Sequence, residues 1–226
     1  MVVTINKNIK YLNMSPPKDT EISTFKWLWS KVRYGLVLHG LRNRLSRIGL
    51  EFKPYYWVLE GAENCAPPEI KGNISEYSLS FLSAEDMKII GTRGDWYNEE
   101  ILLGFLEKGK KCIGIKHKGE IAAFMWIDFE ECNFTPHFIR LKENEAYLFS
   151  MFTMHNYRGK NIAPYLRYKS YEKLRELGKD TFYSVSEYFN YSTIKFKNKL
   201  KAKHLKLILY IELFKKIRWS ITLRKY

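Results

Sequence analysis

The chain has 226 residues and a formal net charge of +14, from 38 Lys and Arg against 24 Asp and Glu. Its 46% hydrophobic and 16% aromatic content excludes a disordered protein and suffices for one substantial core, and no run of about eighteen apolar residues marks a membrane-spanning helix. The positive balance points to an acidic partner or, because the cations are spread along the whole chain, to solubility alone. Cys65, Cys112 and Cys132 have neither metal-ligand spacing nor an even number, which predicts buried free thiols in a reducing compartment. The start of the chain lacks the apolar core and cleavage site of a secretory signal, so a cytoplasmic location is expected, with peripheral contact at the inner membrane face left open.

Residues 1–20 form a polar leader ending in Ser15-Pro16-Pro17. Over 21–48, Ile22, Phe25, Trp29, Val32, Leu36, Leu41, Leu45 and Ile48 recur at helical spacing on a basic background, with Gly35 and Gly40 dividing the run. Such a helix either packs on the domain or lies in a membrane interface. A strand at 55–61 and a loop at 63–73 follow, which places a boundary near residue 74 and divides the chain into an N-terminal extension, 1–74, and a domain, 75–226. In the domain, 76–82 alternates as a strand, 83–91 is a helix capped by Ser83, and 98–109 is a second helix capped by Asn98. Residues 111–129 read as two strands around a Lys118-Gly119 turn, and 137–141 as a third. Strands at 146–154 and 181–187 follow, and 204–214 with 217–225 form a closing antiparallel pair.

The most informative stretch is 146–177, where an apolar strand, AYLFSMFTM, breaks into HNYRGKNIA and then into an amphipathic helix. A helix N-terminus carries unpaired N–H groups and partial positive charge, and so offers a place to a phosphate; here Arg158, Gly159 and Lys160 surround it. The run Arg158-Gly159-Lys160-Asn161-Ile162-Ala163 resembles the Arg/Gln-x-x-Gly-x-Gly/Ala signature of the GNAT acyltransferase superfamily, with Asn161 in place of a glycine. A second block resembles the family as well: Asn190, Thr193, Phe196, Lys199, Leu200 and Ala202 match, whereas Lys197 stands where many members have tyrosine and Lys201 where they have glycine.

The resemblance implies an α+β fold, a mixed and mostly antiparallel sheet of six or seven strands flanked by helices, with one parallel pair splayed apart below the signature. It implies acetyl-CoA or another acyl-CoA as co-substrate, without a metal. The strand carrying Met151, Phe152 and Thr153 would face the pantetheine arm, with an N–H near Thr153 polarising the thioester carbonyl. The amides from Gly159 to Ala163, with Arg158, Lys160, Asn161 and Ile162, would hold the pyrophosphate, and Asn190 would border the site. Asparagine tolerates left-handed backbone better than most residues, so Asn161 is compatible with that turn.

Transfer to an amine requires a base to take up a proton; Glu145 and Glu187, at the edges of the two central strands, and His155 at the turn are the candidates. In the family the missing tyrosine protonates the departing thiolate. Lys197 serves that role only if burial or neighbouring cations lower its pKa, and is otherwise a surface lysine. Tyr157, Tyr165, Tyr183, Tyr188 and Tyr191 cluster near the motifs as alternative phenols, among sixteen tyrosines in the chain. The expected function is acyl transfer from coenzyme A to an amine, with an amino-sugar or lipid-linked acceptor by family analogy. The alternatives are an acidic acyl carrier protein as donor at the membrane surface, or a degenerate fold binding membrane or nucleic acid, the latter disfavoured because no helix has a regular basic and aromatic arrangement.

Overall fold

A computed structural model of the protein describes residues 49–61, 63, 65–92, 98–134, 137–214 and 216–226. The basic amphipathic helix expected over 21–48 lies outside the described residues. The elements in chain order are strand β1 (Leu50–Glu60), β2 (Tyr77–Phe81), helices α1 (Ala84–Thr92) and α2 (Glu99–Glu107), then β3 (Lys111–His117), β4 (Glu120–Asp128), β5 (Glu131–Phe134), β6 (His137–Arg140) and β7 (Glu145–Thr153). Helix α3 (Ile162–Glu176), β8 (Thr181–Glu187), helix α4 (Tyr191–Lys199), β9 (Lys203–Leu213) and β10 (Ile217–Lys225) complete it.

Local sequence accounts for most of these boundaries. At the start of α1, Ser83 and Asp86 cap each other reciprocally: the Ser83 N–H donates to Asp86 Oδ2 at 3.0 Å and the Asp86 N–H to Ser83 Oγ at 3.3 Å. Asn98 accepts the Ile101 N–H at 3.1 Å to start α2. The β3–β4 hairpin turns on Lys118 and Gly119, both at positive φ (49° and 87°), the conformation that matches the twist of a two-residue hairpin.

Eight strands form one sheet in the order β10-β9-β1-β8-β7-β4-β3-β2. The strand count thus exceeds the six or seven expected, and the mostly antiparallel architecture agrees. Strand β1, grouped by sequence with the N-terminal extension, is hydrogen-bonded between β8 and β9, so the sheet extends across residue 74. The segment 137–141 adds no strand to this sheet: His137–Arg140 pairs with Glu131–Phe134 in a separate two-stranded ribbon. That partner strand is only four residues long, ECNF, too short for alternation to be recognised. The ribbon covers one face of the sheet through Phe134, whose ring lies 5.2 Å from Tyr55 and 5.3 Å from Trp57.

Two features of β7 position the site. It is parallel to β8, but pairing runs only from Glu145↔Thr181 to Tyr147↔Tyr183, after which the strands part. Further along, Ser150 takes φ 46°, and the register with β4 slips between Phe124↔Phe152 and Trp126↔Phe149, a bulge of one extra residue. On one face of the sheet Phe105 of α2 packs edge-on against Trp126, with centroids 5.0 Å apart. On the other, α3 packs on β3, β4 and β7, and α4 packs on α3. The main core holds Met87, Leu102, Ile113, Phe124, Trp126, Leu166, Leu174 and Phe182, all buried. Cys112 and Cys132 are buried free thiols whose pKa burial pushes far above the ordinary range, and Cys65 is half-buried. No described helix is long and apolar enough to cross a membrane.

Candidate functional site

A cleft of about 1140 Å³ lies beside the end of β7, past the point where its pairing with β8 stops. Its walls are the end of β7 (Met151, Thr153), the turn and first residues of α3 (Tyr157, Arg158, Gly159, Asn161, Ile162, Ala163, Pro164), one side of α4 (Ser192, Thr193, Lys195, Phe196, Lys199) and the strap Pro67–Lys71.

The turn is built by two left-handed residues, Gly159 at φ 77° and Asn161 at φ 64°, ψ 21°. A Cβ at Gly159 would meet nothing within 4 Å, so glycine is required there by its dihedral and not by crowding. Asn161 replaces the family glycine and adds a bond: its Nδ2 donates to the Glu69 carbonyl at 2.6 Å. The Lys71 N–H donates to the Lys160 carbonyl at 3.0 Å, so the strap is stitched to the turn at two points. Arg158 Nε donates to the Thr153 carbonyl at 3.2 Å and its guanidinium lies 5.5 Å from the Phe152 ring, which fixes the cation at the cleft mouth. The first N–H groups of α3 have no acceptor one turn back, and Pro164 lies within that first turn, where a missing N–H costs no helical bond. Backbone amides, the helix dipole and the cations Lys71, Arg158, Lys195 and Lys199, opposed by Glu69 alone, make this end of the cleft suited to a phosphorylated ligand.

Most of the residues expected at the donor site converge here. Met151, Thr153, Arg158, Gly159, Asn161, Ile162 and Ala163 line the cleft. Phe152 is buried against Phe124, 5.9 Å between centroids. Lys160 is not among the lining residues and sits 5.1 Å from the Tyr157 ring. Asn190 caps α4 by accepting the Thr193 N–H at 3.2 Å, which places Ser192 and Thr193 on the wall.

The acid–base candidates do not converge. Glu145 lies at the paired end of β7, eight residues from Thr153, where it accepts the Lys142 N–H at 2.9 Å and the Tyr183 hydroxyl at 3.3 Å. Glu187, half-buried, ends β8 on the splayed side, and its carbonyl accepts the Asn190 N–H at 3.0 Å. His155 is exposed, in the short turn before the signature.

Lys197 is no surface lysine: it is 1% exposed, with its ammonium 3.0 Å from Glu60 Oε1, 2.5 Å from Ser184 Oγ and 2.6 Å from Ser186 Oγ. Burial lowers its pKa, Glu60 pulls it up and Arg167 pushes it down again, to about 8. Burial alone would raise Glu60, but Arg167, Lys197 and hydrogen bonds from Ser184 and Tyr171 outweigh it and bring the carboxyl down to about 2. The Glu60 shift reflects two cations around one carboxylate, whereas the Lys197 shift is set first by burial, which the shared carboxylate only partly offsets.

Sequence reasoning missed the strap, which reads as a linker, and Lys195. The spacing of Lys195 and Lys199, four apart on a helix beside the second motif, was the available signal.

Comparison with known proteins identifies the family. Residues 75–200 match the family model described as "Acetyltransferase (GNAT) family", and the chain belongs to that family. A GNAT-family acetyltransferase from Colwellia psychrerythraea superposes with TM-score 0.54 at 15% identity, over 83% of this chain and 73% of that one. A functionally unknown protein from Staphylococcus epidermidis gives 0.52 at 8% identity, over 85% and 81%. A Drosophila protein gives 0.52 at 12% identity over 81% of this chain, which spans 59% of the Drosophila chain's length. No curated protein matches. At these identities the structural likeness concerns the fold.

Proposed function

We propose that the protein transfers an acetyl or longer acyl group from coenzyme A to an amine, by direct attack of the amine on the thioester. The observation that carries this reading is the opening of β7 from β8 directly beside the turn made by Gly159 and Asn161. In that arrangement the pyrophosphate rests on the amides from Gly159 to Ala163, with Arg158, Lys195 and Lys199 as counter-charges. The pantetheine follows β7 past Met151, on backbone freed from pairing with β8. A β7 N–H near Thr153 meets the thioester oxygen as it gains charge.

Glu187 is the expected carboxylate at the splayed end of the strands, and we assign it the proton from the amine, directly or through one water. Lys197, spent on Glu60 and two serines, is an unsuitable donor to the thiolate. The cationic mouth also suits an acidic acyl carrier protein as donor.

A thiol-release assay with acetyl-CoA and a panel of amines, amino-sugars included, tests the reading. Amine-dependent release that falls at least tenfold in Glu187→Gln is expected. Release that no amine stimulates, with acetyl-CoA or with an acylated carrier protein, would overturn it.

A further inference from the structure

Lys197 occupies a wall helix of the cleft but faces away from it. Its ammonium reaches Glu60 Oε1 on β1 and the hydroxyls of Ser184 and Ser186 on β8. Glu60 is 0% exposed; it accepts the Ser184 hydroxyl on Oε1 and the Tyr171 hydroxyl of α3 at 2.5 Å on Oε2. One buried carboxylate thus joins β1 and β8 of the sheet to α3 and α4, the two helices that wall the cleft.

The cations share that carboxylate unequally. Lys197 stands at 3.0 Å from one oxygen, whereas Arg167 Nε stands at 3.6 Å from the other, beyond hydrogen-bond range. Arg167 is 3% exposed, and its Nε and Nη1 have no hydrogen-bond partner among the described residues. A desolvated guanidinium with two unpaired nitrogens is costly, so Arg167 would take Glu60 if Lys197 released it. Arg167 belongs to the helix whose first residues form the anion-binding turn, five positions beyond Ile162.

We infer that Lys197 is a positioning residue: by holding Glu60 against the pull of Arg167, it fixes α3 and α4 on the sheet and with them the two walls of the donor cleft. The inference rests on the reading of the cleft as a donor site. It gives the position a job other than protonation of the leaving thiolate.

The competition is sensitive to the proton on Lys197. With the ammonium charged, Glu60 is shared; once it is neutral, Arg167 is the only cation left to the carboxylate among the described residues. The groups facing the ammonium are Glu60 from β1, Ser184 and Ser186 from β8, and Arg167 from α3; the charge of Lys197 also reaches His204 on β9, whose pKa is lowered by burial first and by Lys197 second. Tyr171 completes the shell on the far side of Glu60, its phenol pushed well above the usual range by burial and by that carboxylate.

The test uses the full chain and two readouts. The first needs no donor: the Nε–Hε resonance of Arg167, assigned with Arg167→Lys, is followed by NMR from pH 6.5 to 9.5. It is expected to move with a midpoint near 8 in the native protein, and in Lys197→Met to sit at the high-pH position throughout. The second is acetyl-CoA affinity over the same range. It is expected to weaken at least threefold with rising pH in the native protein and to be flat and weak in Lys197→Met.

A stationary Arg167 resonance in the native protein overturns the proposal even if the variant fails to fold. So does an identical titration in Lys197→Met, or a loss confined to kcat with affinity and resonance unchanged, the signature of an acid. An Arg167 resonance that behaves as expected while acetyl-CoA binds at no pH upholds the lock and refutes only the donor reading.

Discussion

Lys195 and Lys199 are exposed on one side of α4 and line the cleft, whereas Lys197, between them on the same nine-residue helix, is buried against Glu60. Positions four apart share a helix face and the residue midway points to the other side, so one turn presents the same side chain to two different media. In water a cation attracts a ligand weakly, over a distance set by salt, and costs little to remove. In the interior it holds its partner regardless of salt, and either partner left alone becomes a liability. On the proposed reading the outer lysines recruit a ligand, and the inner one arranges the walls.

The inner set should respond most strongly. Glu60→Ala leaves Lys197 and Arg167 buried without a carboxylate and is expected to cost about 3–5 kcal/mol in urea unfolding. The carboxyl, held at about 2 in the fold and near 4.5 in the open chain, contributes stability that is full above 4.5 and lost as pH falls toward 2, on the order of 3 kcal/mol. Glu60→Gln should flatten that acid limb. Lys197 gives a second rise of the same sign at the alkaline end: its pKa of about 8 in the fold lies below 10.5, so the unfolded chain binds the proton more tightly and stability rises from pH 8 to 10.5. Lys197→Met should abolish that rise in pH-dependent unfolding curves; a rise that persists would place it on another group.

Gly159→Val comes next, because a β-branched residue at φ 77° is strained whatever the space around it. A loss of about 1–3 kcal/mol in stability and at least tenfold in donor affinity is expected. Unchanged affinity would remove the turn from the site. Lys195→Ala and Lys199→Ala should each weaken acetyl-CoA binding by about fivefold at low salt, with the differences vanishing near 0.5 M salt and stability within about 0.5 kcal/mol of the native protein. Salt-independent losses would mean that these lysines resemble Lys197. Glu145→Gln, at the sealed end of β7, should leave turnover within about twofold and weaken only its bonds from the Lys142 amide and the Tyr183 hydroxyl.

Local chemistry made much of this visible in advance. The Lys118-Gly119 turn, the Ser83 and Asn98 caps and the left-handed turn from Arg158 to Ala163 are determined by residues adjacent in the chain. What escaped depends on pairings between distant segments. β1 meets β8 and β9 more than a hundred residues away, with nothing in YYWVLEG to announce its neighbours. The strap of Pro67–Lys71 owes its place to the carbonyl it lends to Asn161 and the amide it donates to Lys160. Lys197 looked like either an acid or a surface charge because its partner, Glu60, ends an apolar strand 137 residues earlier.

The central claim is that the opening between β7 and β8 is a coenzyme A site, and calorimetric titration of the full chain with acetyl-CoA at moderate salt tests it most directly, with Arg158→Ala and Gly159→Val as controls. Micromolar, one-to-one binding, weakened in Arg158→Ala and lost in Gly159→Val, is the predicted result. Heat that is absent in the native protein, or unchanged in both controls, would contradict it.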